Sequence, residues 1–394
     1  MFLVAEVMSQ DIKINHYDNF KCIAGACSLT CCQEWRIAVD DATKKKWKGH
    51  HIQDEETSEK VVLHECLMKE EEGQIIGLNK EKKCPFLSKD KLCQVVSQLG
   101  EDFLSKTCTT FPRQINTFKN RKEYVLTACC PVVVDKMKGQ KPELMASGLV
   151  IEDREEALLY EIRQMMIHLM EQENYSIPES MMMIFYHLLE FYEVEGLTLE
   201  QVQEKINSQQ MDELIEAIRD MSFSQEDALL ESNELFLDVV ENYRKQGLYV
   251  SYLEPIAQIA ERISDQSEYG LAVEVIEQYK KFENTLAHHE KLLKHYVMGE
   301  IWGSSLLPDS TLEDMVTAFE WITLEYSVVR QALFLKWLAE GELLTYEMIR
   351  DYLSVIARVT GYDACDTYEY LENSFEDVIW DWGYLAMILG HSQF

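Results

Sequence analysis

Ten of the eleven cysteines in this chain lie before residue 131, and that crowding limits what the front of the chain can fold into. Four of them fall within a single short stretch, Cys22-x4-Cys27-x3-Cys31-Cys32. The rest follow as Cys66, then Cys84-x8-Cys93-x14-Cys108, then Cys129-Cys130, with Cys365 alone near the far end. Whether such thiols pair or bind metal depends on the compartment. The start, MFLVAEVMSQDIKIN, has no basic segment and too short an apolar run for a secretory signal. No stretch reaches the apolar length of a membrane span. The chain therefore reads as cytoplasmic, where structural disulfides are rare. Clustered thiols in that setting read as metal ligands or redox groups. The hydrophobic fraction of 47% is enough for a sizeable core without disulfide staples.

Charge divides the chain. Residues 1–146 hold 22 Lys+Arg and 21 Asp+Glu, whereas residues 147–394 hold 15 and 48. The seam falls in KGQKPELMASG (138–148), which carries the Gly and Pro of a linker. Two domains are expected: a cysteine-rich metal-cluster domain over 1–146 and an acidic helical domain over 147–394. The acidic surface excludes a nucleic-acid partner, which needs a basic footprint. It would attract a cationic one.

The back half has helical spacing. In EEALLYEIRQMMIHLMEQ, Leu158, Ile162, Met165, Met166 and Leu169 recur on one face. Thr198 with Gln201 and Ser310 with Glu313 have capping-box spacing. Pro178, Pro255 and Pro308 are expected near boundaries, and the Met run at 181–183 reads as core filler. The fold expected is mainly α, an irregular cysteine-rich metal-binding front followed by an all-helical body. The adjacent pairs His50-His51 and His288-His289 read as surface.

Within the front, no pair has the Cys-x2-Cys knuckle of structural zinc sites. The first three thiols loosely match the Cys-x4-Cys-x2-Cys loop of plant-type iron–sulfur proteins, with one residue more. Spacing thus favours an iron–sulfur cluster, with zinc as the alternative metal. Adjacent side chains in extended chain point apart, so Cys31 and Cys32 are not expected to serve the same iron. Cys66 and Cys365 lie in apolar surroundings and read as buried small hydrophobes. Cys129 is the extra member of its pair.

Four stretches, FKCIAGACSLTCCQEWRIAVD (20–40), KCPFLSKDKLC (83–93), LGEDFLSKTCTTFPR (99–113) and the Cys130-Pro131 step, resemble the flagellin lysine-N-methylase family, the FliB-like proteins. The first two also resemble a broader group of iron- or zinc-chelating cysteine-rich domains. The resemblance matches Cys22, Cys27, Cys31, Cys32, Cys84, Cys93, Cys108 and Cys130, and with them Trp35, Asp40 and Arg113. VIARVTGYD (355–363) looks like the family's late Arg-containing segment. What the resemblance implies is methyl transfer from S-adenosylmethionine to lysine side chains of flagellin, with a [4Fe-4S] cluster on those cysteines.

The residues neither require nor forbid that chemistry. No Gly-x-Gly-x-Gly turn is visible for a dinucleotide-like donor cradle. Cys27-x3-Cys31 does not continue into a Cys-x3-Cys-x2-Cys run, because position 34 is Glu34. Arg113 offers a planar fork that suits a donor carboxylate. A lysine amine near pKa 10.4 must lose its proton before it can attack. Asp40, Glu34 and Tyr124 are candidate bases, and none is singled out by the sequence.

Overall fold

The computed structural model describes residues 10–70, 73–146, 148–206, 210–266, 273–361, 370–371 and 381–390. Cys365 and the end of the 355–363 segment lie outside them. Seven short strands run in the front: β1 Gln10–Lys13, β2 His51–Gln53, β3 Lys60–Val62, β4 Leu67–Glu70, β5 Gly73–Ile76, β6 Arg113–Thr117 and β7 Arg121–Leu126. Between them lie α1 Asp41–Trp47, α2 Gln94–Leu99 and α3 Lys106–Thr110, followed by α4 Pro131–Gly139. The body is helical: α5 Arg154–Glu171, α6 Ile177–Tyr192, α7 Leu199–Ile206, α8 Gln210–Asp220, α9 Gln225–Lys245 and α10 Val250–Gln266. It continues with α11 Val273–Leu286, α12 Glu290–Ser304, α13 Leu312–Ala339, α14 Tyr346–Val359 and α15 Trp382–Gly390. The chain is mainly α, as expected. Among the described residues no helix is long and apolar enough to cross a membrane.

The helices start where side chains can satisfy their orphan amides. The Asp153 carboxylate accepts from the Glu155 and Glu156 amides at α5. Ser176 and Glu179 close a capping box at α6, and Thr198 and Gln201 close the expected one at α7. The box expected from Ser310 and Glu313 forms one residue later, between Thr311 and Asp314. The Ser310 hydroxyl is occupied by the Leu307 amide in the preceding turn, so it cannot cap. Pro255 also departs from expectation, because it lies inside α10 rather than at its edge. Its ring removes one helical donor, and the residue four positions earlier, Ser251, is exposed to water. The apolar face predicted for 154–171 is buried at Ile162, Met165, Met166 and Leu169, as are Met181, Met182 and Met183.

Two cores form. The larger joins the helices to β1, β7 and α4 through Ile12, Ile14, Val125, Val133, Val134 and Met137. The smaller has nine buried side chains, among them Trp47, Ile52, Leu63, Phe86 and Cys84. Cys32, Cys66, Cys93 and Cys108 pack against it half-buried. The strands form three sheets, of which the largest has the order β1-β7-β6, with β1 parallel and β6 antiparallel to β7. Glu123 of β7 is fully buried and accepts from Arg121 at 2.7 Å and from Arg163 of α5 at 2.8 and 2.9 Å. Arg121 also donates to Glu156. Burial alone would raise the Glu123 carboxyl, but Arg163 and Arg121 together hold it below its usual range.

Glu320 on α13 is a buried carboxyl whose Oε2 finds no partner among the described residues. Burial pushes its pKa from 4.5 to about 9, with Asp381 adding to the rise. The unfolded chain releases this proton near 4.5 while the folded chain keeps it up to about 9, so stability falls as pH rises through that window. Glu320→Gln keeps the site neutral throughout. It should gain a few kcal/mol at roughly pH 8 and almost nothing at roughly pH 4, measured by urea unfolding at both.

Candidate functional site

The cysteine loop is held by close backbone contact. Gly25 packs so tightly that a Cβ there would sit 2.5 Å from the Asp90 carbonyl oxygen, so only glycine fits. That contact docks the loop on the turn between Cys84 and Cys93. Within the loop, the Ala24 amide donates to the Cys22 sulfur at 3.4 Å and the Cys27 thiol donates to the Leu29 carbonyl at 3.3 Å. Farther along, the Cys84 amide bonds the Cys32 carbonyl at 2.8 Å. Cys93 and Cys130 occupy the N-cap positions of α2 and α4, and Cys108 lies in the first turn of α3. The Val95 and Val96 amides favour a Cys93 thiolate, and those of Val132 and Val133 a Cys130 thiolate, without closing capping hydrogen bonds.

Burial sets the acidity of these thiols. It pushes Cys108 up to about 11 and Cys130 up to about 12, and it raises Cys84 strongly. Cys31 is the exception. A hydrogen bond from Cys32 lowers it, and the nearby Arg358 guanidinium adds to that. Cys66, expected to be buried, is half-buried on the small core, its thiol donating to the Val62 carbonyl at 3.5 Å and lying within electrostatic reach of Cys84.

Arg358, near the C-terminus of α14, is the hub where the loop meets the helical body. It is 2% exposed and donates to three carbonyls, Cys129 at 2.8 Å, Leu29 at 3.0 Å and Thr30 at 3.3 Å. Its guanidinium lies 4.9 Å from the Trp35 ring, which in turn meets Phe111 edge-on. No ion pair to a carboxylate forms at Arg358 among the described residues. Tyr249, buried beside it, sets its hydroxyl against the guanidinium and has a positive φ of 51°. Ser28 adds a second tie, donating to Asp351 at 2.9 Å.

Behind Cys129 lies a carboxyl pair that the sequence reading missed. Glu325 of α13 accepts from the hydroxyls of Tyr296 and Thr360. Glu300 of α12 lies beside it and accepts from the Ala128 amide. Burial, and for Glu300 also the neighbouring Glu325 charge, raises both carboxyls. Two acids so close share a proton more readily than they both ionise. The available signal was the pair of carboxylates, Glu320 and Glu325, inside the largely apolar run of α13.

The other candidates are placed as follows. Asp40 caps α1, its carboxylate accepting from the Thr43 and Lys106 amides, and those bonds hold its carboxyl far below the usual range. A carboxylate so stabilised is a weak base. Glu34 has a positive φ of 56°, and burial raises its carboxyl despite the opposing Tyr249 and Val250 amides. Tyr124 lies in β7, edge-on to Tyr17 at 5.4 Å. Arg113 opens β6, its guanidinium 5.0 Å from the Phe20 ring and 5.7 Å from the Tyr17 ring. His50, His51 and His288 are exposed.

Among the described residues no group of three or more His, Cys, Asp or Glu side chains is placed to hold a single ion. Zinc, which draws four ligands onto one centre, is therefore not matched. A polynuclear cluster gives each thiolate its own iron, so its ligands stand farther apart. The donors are soft thiols, and the buried Arg358 guanidinium stands beside Cys31, with the Glu34 carboxyl also within its electrostatic reach.

Comparison with known proteins bears on the body and on part of the chain. A family profile described as FliB lysine N-methylase C-terminal domain matches residues 163–388. The chain is 33% identical over 135 residues to the "Flagellar biosynthetic protein FliU" of Salmonella muenchen, covering 33% of this chain and 77% of that protein. It is 33% identical over 133 residues to a "Lysine-N-methylase" of Salmonella choleraesuis (strain SC-B67), covering 32% of each. A "Lysine-N-methylase" of Salmonella typhimurium (strain LT2) gives 33% over 132 residues, again 32% of each. The aligned stretch thus spans about a third of the length of these lysine-N-methylases. No solved structure matches the chain.

Proposed function

Since the chain belongs to the FliB lysine N-methylase family, we propose that it transfers methyl groups from S-adenosylmethionine to lysine side chains of flagellin in the cytoplasm. The observation that carries this reading is the family match over 163–388, which includes Arg358, the residue that docks the helical body onto the cysteine loop. An iron–sulfur cluster, of the [4Fe-4S] type, belongs to the same proposal. Its ligands are drawn from Cys22, Cys27, Cys31, Cys32, Cys84, Cys93, Cys108 and Cys130. When bound, such a cluster supplies an open iron position able to hold the amino-carboxylate end of the donor. Arg113, whose guanidinium forms no ion pair among the described residues, is proposed to meet the donor carboxylate.

The chain's own residues supply the proton chemistry. Lysine is protonated near neutral pH and must be made neutral first. The Glu300–Glu325 pair, whose carboxyls burial raises toward the range of a useful base, is the proposed acceptor of the amine proton. The freed nitrogen lone pair then forms the new N–CH3 bond. The S–CH3 bond breaks with its electrons staying on sulfur, which leaves as a neutral thioether.

The test is direct. Cluster-loaded protein with S-adenosylmethionine should raise the mass of flagellin lysines of the same organism in steps of one methyl group, read by mass spectrometry. An unchanged flagellin mass with iron-loaded protein and fresh donor sinks the reading.

A further inference from the structure

A cavity of about 440 Å3 opens in the helical body, between the start of α6, the second half of α11, the start of α12 and the middle of α13. Its walls are apolar at Ile177, Pro178, Leu286 and Leu293, all of them buried. Most of the charge that lines it is already balanced. Arg330 of α13 is 2% exposed and donates to Glu283 at 2.9 Å, to the Tyr279 hydroxyl at 3.1 Å and to the Leu389 carbonyl at 3.3 Å. At the exposed rim, Lys280 stands 3.7 Å from Glu277.

Two lining groups are not so matched. Tyr326 is 3% exposed, yet its hydroxyl has no hydrogen-bond partner among the described residues. That hydroxyl lies within electrostatic reach of Arg330, Glu283 and Glu290, all three of which line the cavity, so it faces the same space. A buried hydroxyl without a partner costs stability unless something in the cavity bonds to it. Glu290, the first residue of α12, is exposed and forms no ion pair among the described residues. Lys294, one turn along, donates instead to the Gln172 and Tyr175 carbonyls at 2.8 and 3.3 Å.

We propose that this cavity docks a lysine side chain of the protein substrate, its alkyl stem against Ile177, Leu286 and Leu293 and its ammonium between the Tyr326 hydroxyl and the Glu290 carboxylate. The two unmatched groups set the class of ligand. A carboxylate and a hydroxyl oxygen both accept, so the group they share must donate and carry positive charge. The apolar walls ask for an alkyl stem behind that charge. That the amine is borne by a protein rests on the lysine-methylating reading above; that the cavity takes an alkyl ammonium does not.

The docked lysine is not the one that reacts. Glu290 and Glu300 are ten residues apart on α12, about 15 Å of helix rise. A carboxylate beside an ammonium also keeps it charged, which suits anchoring and opposes attack. The substrate is thus held by one lysine while another is presented for reaction, and a segment carrying paired lysines is preferred over one carrying a single lysine.

The full chain should be titrated with Nα-acetyl-lysine methylamide and with Nα-acetyl-norleucine methylamide, which keeps the stem but lacks the amine. Ligand-detected nuclear magnetic resonance reads the binding. The lysine probe should saturate one site and bind roughly tenfold tighter than the norleucine probe. Tyr326→Phe and Glu290→Gln should each weaken the lysine probe by roughly three- to tenfold and leave the norleucine probe unchanged. Flagellin of the same organism should displace the lysine probe from the parent protein. Equal affinity for the two probes, no saturable binding of the lysine probe, or an unchanged affinity in either folded variant overturns the ammonium site. Lack of displacement by flagellin overturns the docking role. Circular dichroism reports folding, and Glu290→Gln, at the surface, decides if Tyr326→Phe unfolds. The titration needs neither methyl donor nor iron. Its failure therefore leaves the methylase reading standing, and an unchanged flagellin mass in the earlier test leaves the ammonium site standing.

Discussion

Glu123→Ala should lower the stability of the chain by about 3–5 kcal/mol, the largest effect expected of any single substitution here. The reason is not the strength of the ion pairs but what is left behind. Arg121 and Arg163 are both fully buried, and without Glu123 each guanidinium loses a carboxylate that water cannot replace. Arg121 keeps Glu156, but Arg163 keeps only the flanking rings of Tyr160 and Trp302. Replacing Arg121, Glu123 and Arg163 together with apolar residues of like volume should cost far less, because no charge is then stranded. Urea unfolding of the two variants, followed by circular dichroism, separates these outcomes. Equal losses in both would mean that packing, not charge, holds β7 to α5. The pH dependence has a definite sign. The Glu123 carboxyl is depressed in the fold, so its contribution is present above the unfolded carboxylate range and is lost as acid protonates it.

Arg358→Met should release the cysteine loop from the helical body. The variant keeps the length of the side chain but removes every donor, stranding the Thr30 and Cys129 carbonyls and leaving Leu29 only the Cys27 thiol. Each buried carbonyl so stranded costs about 1–3 kcal/mol unless it moves to water. The loop should therefore move. Limited proteolysis should cut within 20–36 at a rate at least tenfold above the parent protein, while the helical circular dichroism is kept. Arg358→Lys should recover only part of the protection, since one ammonium cannot span carbonyls from two segments as a planar fork does. Unchanged proteolysis in Arg358→Met would show that Ser28 with Asp351 and Gly25 with Asp90 suffice to seat the loop.

The helical body was legible because its signal is local. The period of Ile162, Met165, Met166 and Leu169 requires nothing beyond one helix face, and the structure buries all four. Capping was legible to within one residue: Thr311 rather than Ser310 starts α13, a choice made by which hydroxyl the turn leaves free. The front was harder. Its strands are three to six residues long, too short for a period of two to stand out, and β1 finds its partner in β7 far along the chain. The site was least legible. Arg358 has only an apolar run around it, and nothing local says that its partners are carbonyls at Leu29 and Cys129. Glu300 and Glu325 lie on different helices, and only the packing of α12 on α13 makes them a pair.

The sheet order β1-β7-β6 makes the stretch that carries Cys22 to Cys108 a closed excursion. It leaves the sheet after Lys13 and returns at Arg113, so both of its ends are tied to strands that share the large core. The entropy of closing such a loop depends only weakly on its length, each doubling adding about 0.6 kcal/mol. The sheet and the helices behind it can therefore assemble around an excursion that is still unordered. Newly made chains would then wait as folded bodies carrying an open loop, and maturation of that loop becomes a separate, later event that can be timed on its own.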